Sequence, residues 1–327
     1  MKAIIPVAGS GRRLKPLTHT MPKPLLNVAG KPILGHILDE LIDVGVDHVI
    51  LVVGRLGERI QEYVREHYDI RADFVEQKEP QGIGHAVYQA RELVRPDEPV
   101  LILLGDTIFK ADFEAVLSGS TSAVGVRAVE DPSRFGVAVV EDHMVTRLVE
   151  KPETPVSNLA LVGIYYFARA GILFEALRDT VQRGESEDRG RLIHLTDALE
   201  LMIRGGERLR AVTVNGWFDC GEAESLLRTN RFLLDQSGSP AEIRGSIVVG
   251  PVAIHPSARV VRSVVGPYAT VSEGASIIDS IVRDTIINDD AVVENCLLRH
   301  SLVGEEAVVR GTFQRLNVGD SAVVEFH

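Results

Sequence analysis

The rhythm of apolar and polar positions changes along this 327-residue chain. In its first third, short aliphatic runs alternate with segments whose apolar residues recur every three or four positions. Residues 3–7, 48–53, 74–76 and 100–104 read as strands, and 100–104 is apolar without interruption, as in a strand buried on both faces. Residues 32–44, 56–68 and 86–94 read as helices; in the first, Ile33, Ile37, Leu38 and Leu41 share one face. This alternation predicts a mostly parallel sheet with crossover helices.

From 123 to 167 the pattern turns to strands (123–129, 136–140, 145–149 and 159–167) and predicts a β-rich insert. Thr196-Asp197 is expected to cap a helix running to Arg204, followed by a strand at 209–214 and a closing helix at 222–234. A polar stretch, 236–241, reads as a linker. Beyond it helical periodicity disappears. Small residues followed by aliphatics recur at Ser246-Ile247-Val248, Ser263-Val264-Val265, Ser280-Ile281-Val282, Thr285-Ile286-Ile287, Ala291-Val292-Val293, Ser301-Leu302-Val303, Ala307-Val308-Val309 and Ala322-Val323-Val324. One such unit cannot bury its own apolar face, so the repetition predicts a solenoid. Two domains follow, 1–236 and 243–327, and the 45% hydrophobic content supports a core in each.

Charge adds a location. The chain carries −11 overall, yet six Lys and Arg precede its first acidic residue, Asp39. An acidic protein with one purely basic end is suited to hold a polyanion there. Nucleic acid is not the expected partner, because that needs an extended basic face. No apolar run reaches membrane-spanning length, and the first one is too short for a signal peptide. The two cysteines, Cys220 and Cys296, stand far apart with no metal-ligand spacing, so a reduced, cytoplasmic setting is expected. The chain has seven Lys against 28 Arg, with no Lys after Lys151. Base composition explains this most simply, but a lysine that remains offers a compact point charge.

The basic end has order. After the first strand come Gly9 and Gly11, then Arg12, Arg13 and Lys15, then Lys23 between Pro22 and Pro24. Glycines let backbone N–H groups approach a phosphate, and Arg and Lys neutralise it. The set lacks the Gly-Lys-Ser/Thr of a P-loop and the third glycine of a dinucleotide fingerprint. Taken in order, Gly9-Ser10-Gly11, Arg13-Leu14, Pro16, Thr18 and Lys23-Pro24-Leu25 resemble the signature of sugar-1-phosphate nucleotidyltransferases, with Arg12 and Val7 standing where that family carries smaller residues. Further motifs resemble the same family: Gln77 to Ala86, Gly105-Asp106-Thr107, Arg134-Phe135-Gly136-Val137, Glu150-Lys151-Pro152, Val162-Gly163-Ile164-Tyr165 and Trp217-Phe218-Asp219. The tail resembles the imperfect hexapeptide repeat of left-handed parallel β-helices.

The resemblance implies a Rossmann-like, mostly parallel α/β domain followed by a left-handed β-helix. It implies transfer of a nucleoside monophosphate from dTTP or UTP to a sugar 1-phosphate, glucose 1-phosphate first, with release of pyrophosphate. Ala8, Gly9, Gly11 and Arg12 would meet the nucleotide's phosphates, and Gln77 and Gly82 its base. Arg13 and Lys23 would neutralise the triphosphate and Lys151 the attacking phosphate. Gly136, Glu150, Val162 and Tyr165 would line the sugar. Asp106, just past a central strand, and Asp219 would share Mg²⁺, which prefers one or two carboxylates plus water and phosphate oxygens. Without a cation the two would repel, raising one pKa, so an Asn at either place is expected to stabilise the metal-free protein. The flat apolar faces of the β-helix, free of lysine, predict a homo-oligomer. Two alternatives stand beside this reading. One is a silent nucleotide-sugar binder, which loss of Arg13, Lys23 or Asp106 would mark. The other is a bifunctional N-acetyl-sugar-1-phosphate nucleotidyltransferase/acetyltransferase using His255 or His300, for which a tail of about 85 residues is short.

Overall fold

The computed structural model describes residues 1–187, 192–237 and 242–312. It divides into two compact units, Met1–Thr229 and Asn230–His327. Most of the expected linker, 238–241, and the repeat Ala322-Val323-Val324 lie outside the described residues.

The first unit is built on a nine-stranded mixed sheet. Strands β1 (Lys2–Pro6), β2 (His48–Val53), β3 (Arg71–Glu76) and β4 (Val100–Leu103) run parallel, joined by helices α1 (Ile33–Asp43), α2 (Gly57–His67) and α3 (Ile83–Gln89). The residues of β2 and β4 are buried throughout, as their aliphatic runs require. The spatial order of these strands is β3-β2-β1-β4: the chain steps outward from β1 to β3, then returns to β1's other side as β4. The carboxyl ends of β1 and β4 therefore flank a topological switch point, where open α/β sheets hold ligands.

The expected β-rich insert is instead the other half of this sheet. After a short strand, β5 (Thr107–Lys110), and helix α4 (Phe113–Leu117), the chain forms β6 (Ser122–Ala128), β7 (Gly136–Glu141), β8 (Met144–Glu150) and β9 (Leu159–Phe167). Strand β9 pairs antiparallel with β4 and with β6, so it continues the central sheet directly. Its nearly unbroken apolar sequence is that of an interior strand, which pattern alone does not distinguish from a strand in a separate layer. Helices α5 (Ala170–Glu187) and α6 (Leu195–Arg204) cover the sheet, and β10 (Leu209–Thr213) lies between β6 and β8. The expected Thr196-Asp197 cap does not form. His194 occupies the N-cap position, and the Thr196 hydroxyl donates elsewhere, to Glu150 at 2.7 Å. A two-stranded ribbon joins β5 to β11 (Gly216–Asp219), so Asp219 ends a strand rather than lying in a turn. Helix α7 (Ala223–Ser237) follows, and the division between the units falls within it.

The second unit is a parallel β-helix. Ile247 pairs with Val264, Val264 with Ile281 and Ile281 with Leu297, one coil on each time. Apart from Gly266, the residues with positive φ in this unit fall into three columns, one for each corner of the coil: Gly245, Arg262, Asp279 and Asn295; Tyr268, Asp284 and His300; and Gly274, Asp290 and Glu306. The small residue that opens each repeat has a physical task at the first corner. Ser246 Oγ accepts from the N–H of Ser263 (3.2 Å), Ser263 Oγ from Ser280 (3.1 Å), and Ser280 Oγ from Cys296 (3.0 Å). Each hydroxyl thus satisfies a backbone donor one coil further on, where a larger side chain would displace the buried core. Val265, Ile277, Val282 and Val293 fill that core.

Candidate active site

Local chemistry first places the glycine-rich loop after β1. Gly11 sits in the left-handed region (φ 59°), and a Cβ there would stand 2.8 Å from Thr18 Cγ2. Its carbonyl accepts from the Thr18 hydroxyl at 2.8 Å, which folds the loop onto itself. Lys23, in a single turn after Pro22, is only 7% exposed and donates to Asp106 Oδ2 at 2.5 Å. The residues after β1 and those after β4 therefore meet through a charged pair, as the switch point dictates.

The ribbon brings in the second carboxylate. Its register sets Asp219 opposite Thr107, and the Cys220 N–H donates to the carbonyl of Asp106 at 3.0 Å. Burial opposes ionisation of Asp106, but the Lys23 charge and hydrogen bond outweigh it and hold the carboxyl below its ordinary value. Burial first, and then the Asp106 charge, push Asp219 above its ordinary value. Burial also pushes the Cys220 thiol up to about 12, so this cysteine is no nucleophile at neutral pH. The pair of carboxylates offers hard oxygen donors, with one Asp106 oxygen already engaged by Lys23. Such a set fits a small divalent cation whose remaining ligands are water and phosphate oxygens. Among the described residues no cluster of three or more His, Cys, Asp and Glu offers an alternative metal site.

A cavity of about 240 Å³ opens above this floor, lined by Arg13, Asp106, Gly136, Glu150, Lys151, Val162, Tyr165 and Asp219 among the expected residues. Glu150 is its best-supported side chain. Thr196 donates to Oε2, while His194 Nδ1 and Lys151 Nζ each stand 3.5 Å from Oε1. Lys151 follows β8 with a left-handed backbone (φ 42°), its N–H donating to Phe135 O at 3.0 Å. That reversal breaks the strand's alternation, so Glu150 and Lys151 both face the cavity. Gly136 lies under the same group: a Cβ there would be 2.8 Å from Thr196 Oγ1 and 3.0 Å from Glu150 Oε2. Val162 sits where the β9–β6 register shifts between Leu161 and Tyr165, a bulge that turns it inward. Burial and the Glu150 charge keep the Tyr165 hydroxyl protonated.

Ala8, Gly9, Gly11, Arg12, Gln77 and Gly82 do not line this cavity, and Lys23 reaches it only through Asp106. Gln77 is 7% exposed, and its amide nitrogen lies 3.0 Å from both Gly82 O and His85 Nδ1. The turn around it is fixed to the segment before α6: Gly84 N–H donates to Ile193 O and Ile193 N–H to Gln81 O.

Several lining residues were not among the sequence-expected contacts: Ile83, Arg134, Phe135, His194, Thr196 and Trp217. Trp217 is more than core filler, since it lines the cavity edge-on to Phe135 at 4.9 Å. Outside the lining set, Glu222 also takes part. Its Oε1 accepts from both Arg13 and Arg134, and the Arg134 charge first, then Arg13, holds its carboxyl below the ordinary value. Ile83, Arg134, Phe135 and Trp217 lie inside motifs already noted, so the sequence signalled them locally. His194, Thr196 and Glu222 gain their positions from long-range packing.

An open α/β sheet thus gathers cations and paired carboxylates at its switch point, a set able to hold a polyphosphate with a divalent cation. The chain belongs to the nucleotidyl transferase family, which it matches over residues 2–236. It is 40% identical over 251 residues to the bifunctional protein GlmU of Methanocaldococcus jannaschii, covering 76% of this chain but only 57% of that relative. It is 34% identical over 254 residues to the UTP–glucose-1-phosphate uridylyltransferase AglF of Haloferax volcanii, covering 74% of this chain and 100% of that one. With a glucose-1-phosphate thymidylyltransferase of Streptomyces griseus it shares 31% identity over 318 residues, 88% of this chain and 87% of the other. A solved UDP-glucose pyrophosphorylase bound to UDP-glucose superposes with a TM-score of 0.63 at 25% identity, over 72% of this chain and 98% of that one.

Proposed function

We propose that this protein transfers a nucleoside monophosphate from dTTP or UTP to a sugar 1-phosphate, glucose 1-phosphate foremost, releasing pyrophosphate. One observation carries the reading: the Lys23–Asp106–Asp219 floor, Arg13, and the Glu150–Lys151 pair converge on a single cavity. The thymidylyl- and uridylyltransferase relatives support the two bases. Catalysis belongs to residues 1–236, and residues 243–327 serve assembly of a homo-oligomer in the cytoplasm.

The reaction is an in-line attack by a sugar-phosphate oxygen on the α-phosphorus, and positioning and charge neutralisation supply most of its rate. Lys151 holds the attacking phosphate while Glu150, braced by Thr196, accepts from sugar hydroxyls. Arg13 takes the outer phosphates. Lys23 neutralises the α-phosphate region and keeps Asp106 ionised. Asp106 and Asp219 hold a divalent cation, magnesium in this proposal, which would offset charge developing on the phosphates. Gln77 and Gly82 receive the base, and the loop Ala8–Gly11–Arg12 borders the triphosphate.

The test is pyrophosphate release measured over a matrix of nucleoside triphosphates and sugar 1-phosphates. Turnover with dTTP or UTP and a hexose 1-phosphate is expected. Absence of turnover with every pair, in magnesium, would overturn the reading in favour of a silent binder.

A further inference from the structure

Glu222 lies three residues after Asp219, in Asp219-Cys220-Gly221-Glu222, and bonds to two residues that line the cavity, Arg13 and Arg134. A single oxygen atom, Oε1, accepts from Arg13 Nη1 on one side and from Arg134 Nη2, at 2.6 Å, on the other. Arg134 and Glu222 are each held at the base. Arg134 ends a turn pinned by Asp131, which accepts from the Ser133 N–H (3.1 Å) and hydroxyl (2.6 Å), and the next residue, Phe135, packs on Trp217. The backbone N–H of Glu222 donates to Ser225 Oγ at 3.1 Å. The three charged ends remain wet, with Arg13, Arg134 and Glu222 side chains 57%, 54% and 39% exposed. Two guanidinium groups, 121 residues apart in sequence, converge on one point only because an anion lies between them. A phosphate offers more oxygens and more charge at that point than one carboxylate oxygen does.

We propose that Arg13 and Arg134 form a two-guanidinium clamp for the substrate's phosphates, and that Glu222 is the stand-in anion the clamp must release to close on them. This rests on the nucleotidyl-transfer reading above and adds to it a residue, Arg134, and a competitor, Glu222. Exposed ion pairs are weak, so the carboxylate is displaceable on entry and returns to the arginines as pyrophosphate leaves. Two such pairs correspond to a three- to tenfold competition, in round terms.

The experiment is calorimetric binding of inorganic pyrophosphate, with magnesium chloride present, to the full-length wild type, Glu222→Gln, Arg134→Gln and the double variant. Glu222→Gln is expected to bind pyrophosphate about three- to tenfold more tightly. Arg134→Gln should bind it several-fold more weakly, and in that background the gain from Glu222→Gln should shrink. In turnover, Glu222→Gln should lower KM for the triphosphate and deepen pyrophosphate inhibition without raising kcat. A Glu222→Gln variant that melts like wild type and binds pyrophosphate no more tightly would overturn the proposal, because Glu222 would then merely position the arginines. Glu222→Asp, whose shorter arm cannot serve both arginines, should fall between the two, and an affinity below wild type there would also overturn it. The clamp is judged by binding and the transferase reading by turnover. Tighter binding in Glu222→Gln without turnover in wild type would sink the latter and leave the former.

Discussion

The backbone N–H of Cys220 donates to the carbonyl of Asp106 at 3.0 Å, and this one bond closes the ribbon that sets Asp219 beside Asp106. The two carboxylates are therefore fixed by main chain, not by flexible side-chain reach. Neither is required by the local structure of its strand. Their juxtaposition, with Lys23 on only one of them, generates most of what can be tested here.

Turnover should depend on a divalent cation held by both acids. Asp106→Asn and Asp219→Asn are each expected to lower kcat by several orders of magnitude, with the fold intact by circular dichroism. Near-normal turnover in either variant, or full activity in excess EDTA, would sink the two-carboxylate site.

Stability should separate the two acids. From sequence alone, an Asn at either place relieves repulsion, but the structure assigns the repulsion to Asp219. Its pKa is raised, so its stabilising, protonated form is lost as pH rises through the folded value. In metal-free buffer at pH 7, Asp219→Asn should raise Tm, and the gain should vanish as pH falls toward the ordinary carboxylate value of 3.8. Asp106 has the opposite sign: its contribution is present above the ordinary value and is lost as pH falls through its lowered one. Asp106→Asn leaves the buried Lys23 ammonium short of its partner and should destabilise by about 1–3 kcal/mol. Thermal melts across pH check both; equal shifts of the same sign would contradict the assignment.

Gly136→Ala tests the sugar side. The added Cβ must push away the Thr196 hydroxyl, which braces Glu150. We expect KM for the sugar 1-phosphate to rise tenfold or more, with pyrophosphate affinity unchanged. An unaltered KM would remove Glu150 from sugar binding.

Base selection should follow from what Gln77 has left to offer. Its amide N–H groups face Gly82 O and His85, which leaves the carbonyl oxygen to accept from the ring N–H of thymine or uracil. Steady-state rates should favour dTTP and UTP over ATP and GTP, and Gln77→Leu should erode that margin about tenfold or more. Preference for a purine would refute this base site.

The proposed homo-oligomer is tested on one surface. Ile247, Val264, Ile281 and Leu297 form one ladder up the β-helix, and Ile247, Ile281 and Leu297 are 63%, 37% and 81% exposed. Light scattering of the wild type at micromolar concentration should give a multiple of 35.7 kDa, and Leu297→Arg should shift it toward that mass. A wild-type monomer, or a variant with unchanged mass, would exclude this face.

What the sequence by itself determined is what local periodicity and short motifs encode. The parallel strands, their crossover helices, the glycine-rich loop after β1 and the repeating tail were all legible, because each is specified by neighbours a few residues apart. The Ser246–Ser263–Ser280 column even shows in the spacing of the repeats, since one hydroxyl per coil serves the next coil's backbone. Tertiary structure alone decided the rest. Placing 159–167 beside the central strand turned an expected insert into half of one sheet, because interior strands look alike wherever they sit. Thr196 reads as a helix cap in sequence, yet in the fold its hydroxyl meets Glu150, 46 residues away, and bonds there instead. Glu222 carries no local signal at all. Its role exists only because folding brings Arg13 and Arg134 to one oxygen, and long-range electrostatics of that kind has no period to read.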